Sequence, residues 1–363
     1  MKRFAYIDAL RGYAILGVLL VHTGQYCGFD IPGTAFGARG VQLFFVASAL
    51  TLMFSWHERR DGVTAFFVRR LFRIVPMFWL SIPIYVCMMN IGGYEFETLQ
   101  VICAAFFLQA ARPDWITAAI VPGAWSVCVE VVFYCAFPLI AAYVNSLLRA
   151  IALGIACFAI AILWADHGLA AGMLLFPHFN SGEINLWAIL SFPAQLPAFA
   201  VGILCFFLIP DWKYFVGRAA TEMLLAGALL YCVYLAVSSP FVVPEWSLAF
   251  GMIAICLANG AGRYLIYSSV ILIGRFSFSI YLLHWIAMGR AVEVGNALHA
   301  SGYLRFVTIF LAAVAITTAL SAVTYYLVEL PMIKLGSRYL ARRALIAPLA
   351  VTVAADDVVE QVR

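Results

Sequence analysis

Eleven apolar runs follow one another along this chain of 363 residues, near 9–27, 41–56, 74–90, 99–111, 125–144, 150–165, 187–209, 222–237, 246–258, 270–289 and 304–330. A helix needs about 20 mostly apolar residues to cross a bilayer. Runs of this length, repeated this often, describe a polytopic membrane protein. Composition agrees: 65% of residues are hydrophobic and only 11% are charged, where a soluble domain carries about a quarter charged residues. Disordered, collagen-like and nucleic-acid-binding classes are excluded by the same balance. The expected fold class is all-α, an integral membrane helix bundle.

The 99–111 run is the weakest of the eleven. Arg112, Pro113 and Asp114 close it, and Pro122-Gly123 precedes the next run. The positive-inside rule tests whether it crosses. With the N-terminus in the cytoplasm and 99–111 dipping in and returning, 18 of the 22 Lys and Arg fall inside, and only Arg39, Arg112, Arg290 and Arg305 fall outside. Letting the run cross inverts every later loop. The expectation is therefore about ten transmembrane helices plus a re-entrant segment, in the inner (plasma) membrane, with both termini cytoplasmic. Residues 1–335 form one transmembrane domain, and 336–363 a cytoplasmic tail whose apolar patch 344–355 is too short to span. The first run imitates a secretory signal, but Asp8 and Arg11 interrupt it and no A-x-A-like site follows, so it is read as a retained span. The nine Cys are scattered without a C-x-x-C pair and mostly lie in apolar runs. They read as packing residues, and no metal site is expected.

Ionisable residues inside a membrane helix are costly, so each is a functional hypothesis. Arg11 and His22 are eleven residues apart, three turns plus about 20°, which puts them on one helix face with about 16 Å between them. Snorkelling to headgroups accounts equally for Arg11. Imidazole needs partners in hydrocarbon, which favours function for His22. Arg70 and Arg73 form R-x-x-R on one helical face, beside Arg69. Guanidinium forks bind phosphate oxygens bidentately, while a basic cluster beside a span also sets topology and touches anionic lipid. Trp125-Ser126-x-x-x-Glu130 opens a span that enters from the outer side. Glu130 is then expected at a depth comparable to His22, where a carboxylate can hold the Nδ1–H of an imidazole; a helix–helix hydrogen bond is the other reading. Ser277, Tyr281 and His284, spaced i, i+4, i+7, share a face that serves either interhelical hydrogen bonding or catalysis.

Taken in order, these elements resemble the membrane-bound acyltransferase 3 family. I-D-A-L-R-G followed by His22 is similar to its R-x10-H signature. F-F-V-A-S-A-L at 44–50, R-R-L-F-R-I-V-P at 69–76, W-S-V-C-V-E-V-V-F-Y at 125–134, G-R-F-S-F-S-I-Y-L-L-H at 274–284 and Y-L-V-E-L-P at 326–331 resemble its further landmarks over nearly the whole chain. Ala49 replaces the usual Gly, and Val131 stands where many members carry a second acidic residue beside Glu130. No hydrolase-like domain follows, so acceptors handled by such a domain are not expected.

The resemblance implies transfer of an acyl group, usually acetyl, from cytosolic acetyl-CoA (acyl-CoA) to a hydroxyl of a carbohydrate such as exopolysaccharide or O-antigen. It implies that Arg11 and His22 are the essential pair. In the mechanism expected on that basis, Arg70 and Arg73, with Arg69, hold CoA phosphates. His22 acts as general base or acyl carrier, and Glu130 orients its ring. Ser277, Tyr281 or His284 donates to the developing oxyanion, with Trp125 and Ser126 as further substrate candidates. The partners are then acyl-CoA, a carbohydrate acceptor and the bilayer, with no nucleic acid. The competing reading is a proton-coupled or glycolipid transporter of the cell envelope. Against it, no pseudo-symmetric halves are visible. Polar residues of the loops at 166–186 and 290–303, Asn180 and Glu183 among them, are read as solvated surface.

Overall fold

The computed structural model describes residues 4–28, 31–60, 62–238 and 243–343. Lys2, Arg3 and the apolar patch 344–355 lie outside these. The described residues form helices and turns with no strand. In chain order the main helices are α1 (Ala5–Tyr26), α2 (Gly40–Arg59), α3 (Gly62–Ile91), α4 (Thr98–Ala105), α5 (Trp125–Tyr143), α6 (Leu147–Leu175), α7 (Ser181–Leu190), α8 (Phe192–Leu208), α9 (Arg218–Ser238), α10 (Val243–Ala258), α11 (Ser268–Arg275), α12 (Ser277–Ala297) and α13 (Gly302–Thr324). Among the described residues, eight helical segments are long and apolar enough to cross a membrane, and the bent pair α11–α12 makes a ninth if it counts as one span. α10, at 16 residues, is apolar but shorter.

Lipid tails are as apolar as leucine, so close packing rather than the hydrophobic effect holds such helices together. Small residues provide it. A Cβ on Gly274 would collide with the Asp8 carbonyl, which lets α11 lie directly on α1. A Cβ on Gly202 would run into the Val46 carbonyl, which fixes α8 against α2. Around these contacts the aromatic core interleaves. Phe199 of α8 stacks on Phe133 of α5 at 4.1 Å between centroids and on Phe45 of α2 at 4.6 Å.

The 99–111 run forms no helix long enough to cross a bilayer. Its helix, α4, has eight residues, about 12 Å of rise against a hydrocarbon core of about 30 Å. The irregular backbone that follows is satisfied from its own neighbourhood, as buried non-helical chain must be. Gln100 donates to the Ala118 carbonyl at 2.7 Å, Gln109 to Val121 at 3.2 Å, Trp79 to Ala105 at 2.9 Å and Trp187 to Ala110 at 3.1 Å.

Arg39 departs from the expected topology. It ends a 3-10 turn, Thr34–Arg39, that descends alongside α1 and continues into α2 as one candidate span. A Cβ on Gly37 would meet the Gly17 carbonyl, and one on Gly40 the Ala14 carbonyl. Arg39 therefore sits beside the middle of α1, not in a loop beyond its end. The close approach of two glycines lets the turn come this far into the bundle, and nothing in a hydropathy plot shows it.

α11 and α12 meet at 82° next to Phe276. Only α12 therefore carries Ser277, Tyr281 and His284 along the bundle. At the far end of the sequence the helix widens into a π turn at Tyr325–Glu329. The extra residue turns Glu329 inward, where its carboxylate accepts from the Ser279 hydroxyl of α12. Thr324 donates to the same Ser279 oxygen at 3.1 Å.

Candidate active site

Arg11 and His22 face α12 from the same side of α1, as their spacing requires. They enter two different surroundings. Arg11 lines a cavity of about 80 Å³ together with Arg70 and Arg73 of α3 and Glu130 of α5. Its Nη2 donates to Thr51 Oγ1 at 3.0 Å, and Thr51 donates on to the Ala47 carbonyl at 2.6 Å. The guanidinium of Arg70 lies 5.9 Å from the centroid of the Tyr134 ring. Arg70 Nε is buried with no hydrogen-bond partner. R-x-x-R thus points both arginines into one space, one helical turn apart. Three guanidiniums face one carboxylate, so the cavity carries a surplus of positive charge at a depth where charge is weakly screened.

Glu130 is not placed as expected from the sequence. It accepts a hydrogen bond from Ser48 Oγ of α2 and lies at the level of Arg11, not of His22. The reason is the start of α5, which begins after the irregular 106–124 segment and inside the bundle. Tyr281 Oη donates to the Gly123 carbonyl at 2.7 Å and accepts from Ser126 Oγ at 2.7 Å. These two bonds pin the first turn of α5 against α12. Glu130, a turn further on, is then carried down to the arginines. The imidazole of His22 is held instead by Gln25, whose Oε1 is 2.8 Å from His22 Nδ1.

Around His22 the neighbours are aromatic. Its ring stacks on His284, with centroids 5.1 Å apart and planes 26° from parallel, and lies 4.5 Å from the Trp285 ring. His284 is 1% exposed. Its Nδ1 is 2.6 Å from the Tyr281 carbonyl, and its Nε2 is buried without a partner. A carbonyl oxygen can only accept, so Nδ1 carries a proton there and the unpartnered Nε2 is a second nitrogen beside His22.

Ser277, Ser126 and Tyr281 line the arginine cavity, whereas His284 turns to His22. Tyr281 belongs to both regions. Its phenol closes one end of the cavity, and its ring centroid is 5.8 Å from that of His284. Arg69 and Trp125 are not among the residues around the cavity. Arg69 immediately precedes Arg70 and leaves the helix in another direction, and the Trp125 ring turns edge-on to Phe45 at 6.4 Å. Asn180 and Glu183 form a capping box at the start of α7, which accounts for both structurally.

The sequence reading missed Gln25, Ser48, Thr51, Tyr134 and Trp285. Two of these had a signal. Gln25 is three residues after His22 and Tyr134 four after Glu130, spacings that share a helix face. Ser48 and Thr51 reach the site only through the packing of α2 between α1 and α5.

The arginine set fits an anionic group. Its unpartnered Arg70 Nε and surplus of cations call for an oxyanion. The volume suits one phosphate-sized group and water, not a whole nucleotide.

The acyltransferase domain family matches residues 4–326 of the chain. The O-acetyltransferase OatA of Staphylococcus aureus is 21% identical over 367 aligned residues, which cover 92% of this chain and 58% of that protein. Acyltransferase MdmB of Streptomyces mycarofaciens is 26% identical, with 93% of each chain covered. The exopolysaccharide production protein ExoZ of Rhizobium meliloti is 25% identical, covering 88% of this chain and 95% of that one. The chain therefore spans little more than half the length of OatA and nearly all of the other two. No solved structure matches.

Proposed function

The chain belongs to the acyltransferase 3 family, and on that footing we propose that it moves an acetyl group from cytosolic acetyl-CoA to a hydroxyl of an envelope carbohydrate such as an exopolysaccharide or O-antigen. It is a multi-pass membrane protein, and in this reading it lies in the inner membrane with both termini in the cytoplasm. The observation that supports the proposal most is the placement of His22 and Arg11 on one face of α1, about 16 Å apart along the helix, with Arg11 joining Arg70 and Arg73 of α3 around one cavity.

Arg70, Arg73 and Arg11 bind an anionic group of the donor from the cytosolic end. The extended arm of the donor then runs along α1 toward His22. It must pass Tyr281, so the two hydrogen bonds of the Tyr281 phenol open during the cycle. His22 is the general base. With Nδ1–H held by Gln25, the Nε2 lone pair is left to accept the proton of the sugar hydroxyl, whose own acidity is too low to attack a thioester unaided. The sugar oxygen bonds to the thioester carbon, the carbon–sulfur bond breaks, and the imidazolium returns its proton to the departing thiolate. The Tyr281 hydroxyl, released from Gly123 as the arm passes, donates to the oxyanion that develops on the thioester carbonyl.

Glu130 serves the arginines. It balances part of their charge while the cavity is without an anion, and Ser48 fixes its orientation. ExoZ is named for exopolysaccharide production and OatA for O-acetyl transfer, which supports a carbohydrate acceptor.

Membrane vesicles containing the protein, supplied with radiolabelled acetyl-CoA on the cytosolic side, test the proposal. Label is expected in an alkali-labile ester on extracted carbohydrate. Carbohydrate that stays unlabelled while the protein is folded and inserted would overturn it.

A further inference from the structure

Two buried side-chain atoms beside His22 have no hydrogen-bond partner among the described residues, His284 Nε2 and the indole Nε1 of Trp285. Both residues follow Tyr281 on α12. The ring centroids of His22 and Trp285 are 4.5 Å apart, those of His22 and His284 5.1 Å, and those of His284 and Trp285 5.6 Å. His284 Nδ1 donates to the Tyr281 carbonyl at 2.6 Å, so its neutral ring can only accept at Nε2. An indole N–H can only donate. One acceptor and one donor thus lie next to the imidazole that receives the proton of the attacking hydroxyl. Buried polar atoms without a partner are rare enough in folded proteins to ask what supplies one.

The three rings open toward the end of α1. His284 is buried, His22 and Trp285 are half-buried, and Gln25 and Tyr26 are exposed. The Tyr26 ring stands edge-on to Trp285 at 5.9 Å. The donor arm reaches His22 from the opposite direction, past Tyr281. A molecule entering beside Tyr26 and Trp285 is therefore the acceptor.

Building on the acyl-transfer function above, we propose that His284 and Trp285 bind a second hydroxyl of the acceptor, on the carbon next to the one that is acylated. The acceptor class is then a sugar residue with a free vicinal diol. A hydroxyl donates and accepts at one oxygen, so it satisfies Nε2 and Nε1–H together. A trans amide of the donor arm turns its N–H and its C=O to opposite edges and serves only one of the two atoms. The imidazoles stack 5.1 Å apart, and each hydroxyl oxygen sits about 3 Å from its nitrogen. Two oxygens that converge on such a pair belong to neighbouring carbons of one sugar ring, not to separate residues of a polymer. The hydroxyl at His22 takes the acyl group, and the one at His284 stays free. A site built to hydrogen-bond a substrate hydroxyl rejects an acceptor that lacks it, because its buried polar groups are left unpaired.

The test uses the full chain in vesicles with labelled acetyl-CoA and host carbohydrate whose esters have been removed by alkali. NMR of the product made by the wild type is expected to place the ester on a ring carbon whose neighbour bears a free hydroxyl. Trp285→Phe keeps an aromatic ring and removes the N–H, and His284→Phe removes Nε2. Each is expected to raise the KM for the carbohydrate at least about tenfold, the cost of a lost binding contact, with the KM for acetyl-CoA within about twofold. The unchanged donor KM also shows that the variants fold. An ester with no free hydroxyl on either adjacent carbon would overturn the proposal. So would a carbohydrate KM unmoved in both variants, as when water serves the two atoms, or a change confined to the KM for acetyl-CoA. In each of these outcomes the carbohydrate is still labelled and acyl transfer stands. Carbohydrate left unlabelled by the wild type would overturn both.

Discussion

His22 of α1 and His284 of α12 lie ring on ring inside the bundle, 5.1 Å between centroids and 26° from parallel. Each has its Nδ1 committed, to Gln25 and to the Tyr281 carbonyl respectively. Both therefore present Nε2 as the free nitrogen. The carboxylate that would ordinarily fix such a tautomer is absent from the pair, because Glu130 is engaged at the arginine cavity. The two halves of the site are thus chemically separate: an anion-binding end built on arginine and one carboxylate, and a nitrogen-base end built on imidazole and aromatic rings.

That separation makes Glu130 a stability residue first. Glu130→Ala removes the carboxylate that lines the cavity with Arg11, Arg70 and Arg73, leaving Asp8 beside Arg11 and Glu329 beside Arg73 as counter-charges outside it. Removing one partner from a buried charge cluster costs about 3–5 kcal/mol. A loss of that order is expected in thermal unfolding of the purified protein. Phosphate at millimolar concentration is expected to recover part of it in the variant, by supplying the missing negative charge.

Tyr281 holds the start of α5 through Gly123 and Ser126. Tyr281→Phe removes both bonds. Interhelical hydrogen bonds in membranes average about 0.6 kcal/mol and reach about 1.7, so a loss of about 1–2 kcal/mol is expected. Gly123→Ala acts at the same contact with more force. Gly123 has φ +81°, and a Cβ there would stand 3.0 Å from the Tyr281 hydroxyl oxygen. Both the left-handed backbone and the phenol would have to give, so Gly123→Ala is expected to unfold at a lower temperature than Tyr281→Phe in a direct comparison.

Arg73 is expected to act on donor binding. Arg73→Gln should raise the KM for acetyl-CoA about tenfold with kcat within about threefold, the pattern of a lost binding contact that is equal in ground and transition states. Arg73→Lys keeps the charge but not the planar fork and should fall between the two. A change confined to kcat in steady-state kinetics would place Arg73 at the reacting atoms instead.

Much of this arrangement was legible in the sequence because helices are periodic. Arg11 and His22, Arg70 and Arg73, and Ser277 and Tyr281 share faces by spacing alone; the last two pairs line one cavity, which Arg11 joins while His22 enters the aromatic surroundings of His284 and Trp285. The 99–111 run, bounded by Arg112-Pro113-Asp114, could be set aside as a span on charge bias and length. What periodicity does not carry is depth. Counting α5 from a membrane surface puts Glu130 beside His22. The helix in fact starts inside the bundle, below an irregular segment whose carbonyls accept from Gln100, Gln109 and the Trp187 indole. The same counting makes Arg39 external. Its position follows from Gly17 meeting Gly37, a backbone contact that hydropathy does not encode.

The central claim is that the His22 nitrogen accepts the proton of the attacking hydroxyl, and the His22→Ala variant tests it most directly. Its rate of transfer from labelled acetyl-CoA to carbohydrate would be measured in vesicles, with insertion checked by protease protection and donor binding checked separately. A general base contributes typically about 10²- to 10⁴-fold, so transfer is expected to fall by at least two orders of magnitude while acetyl-CoA still binds at the arginine cavity. Transfer at the wild-type rate in a correctly inserted His22→Ala protein would contradict the account.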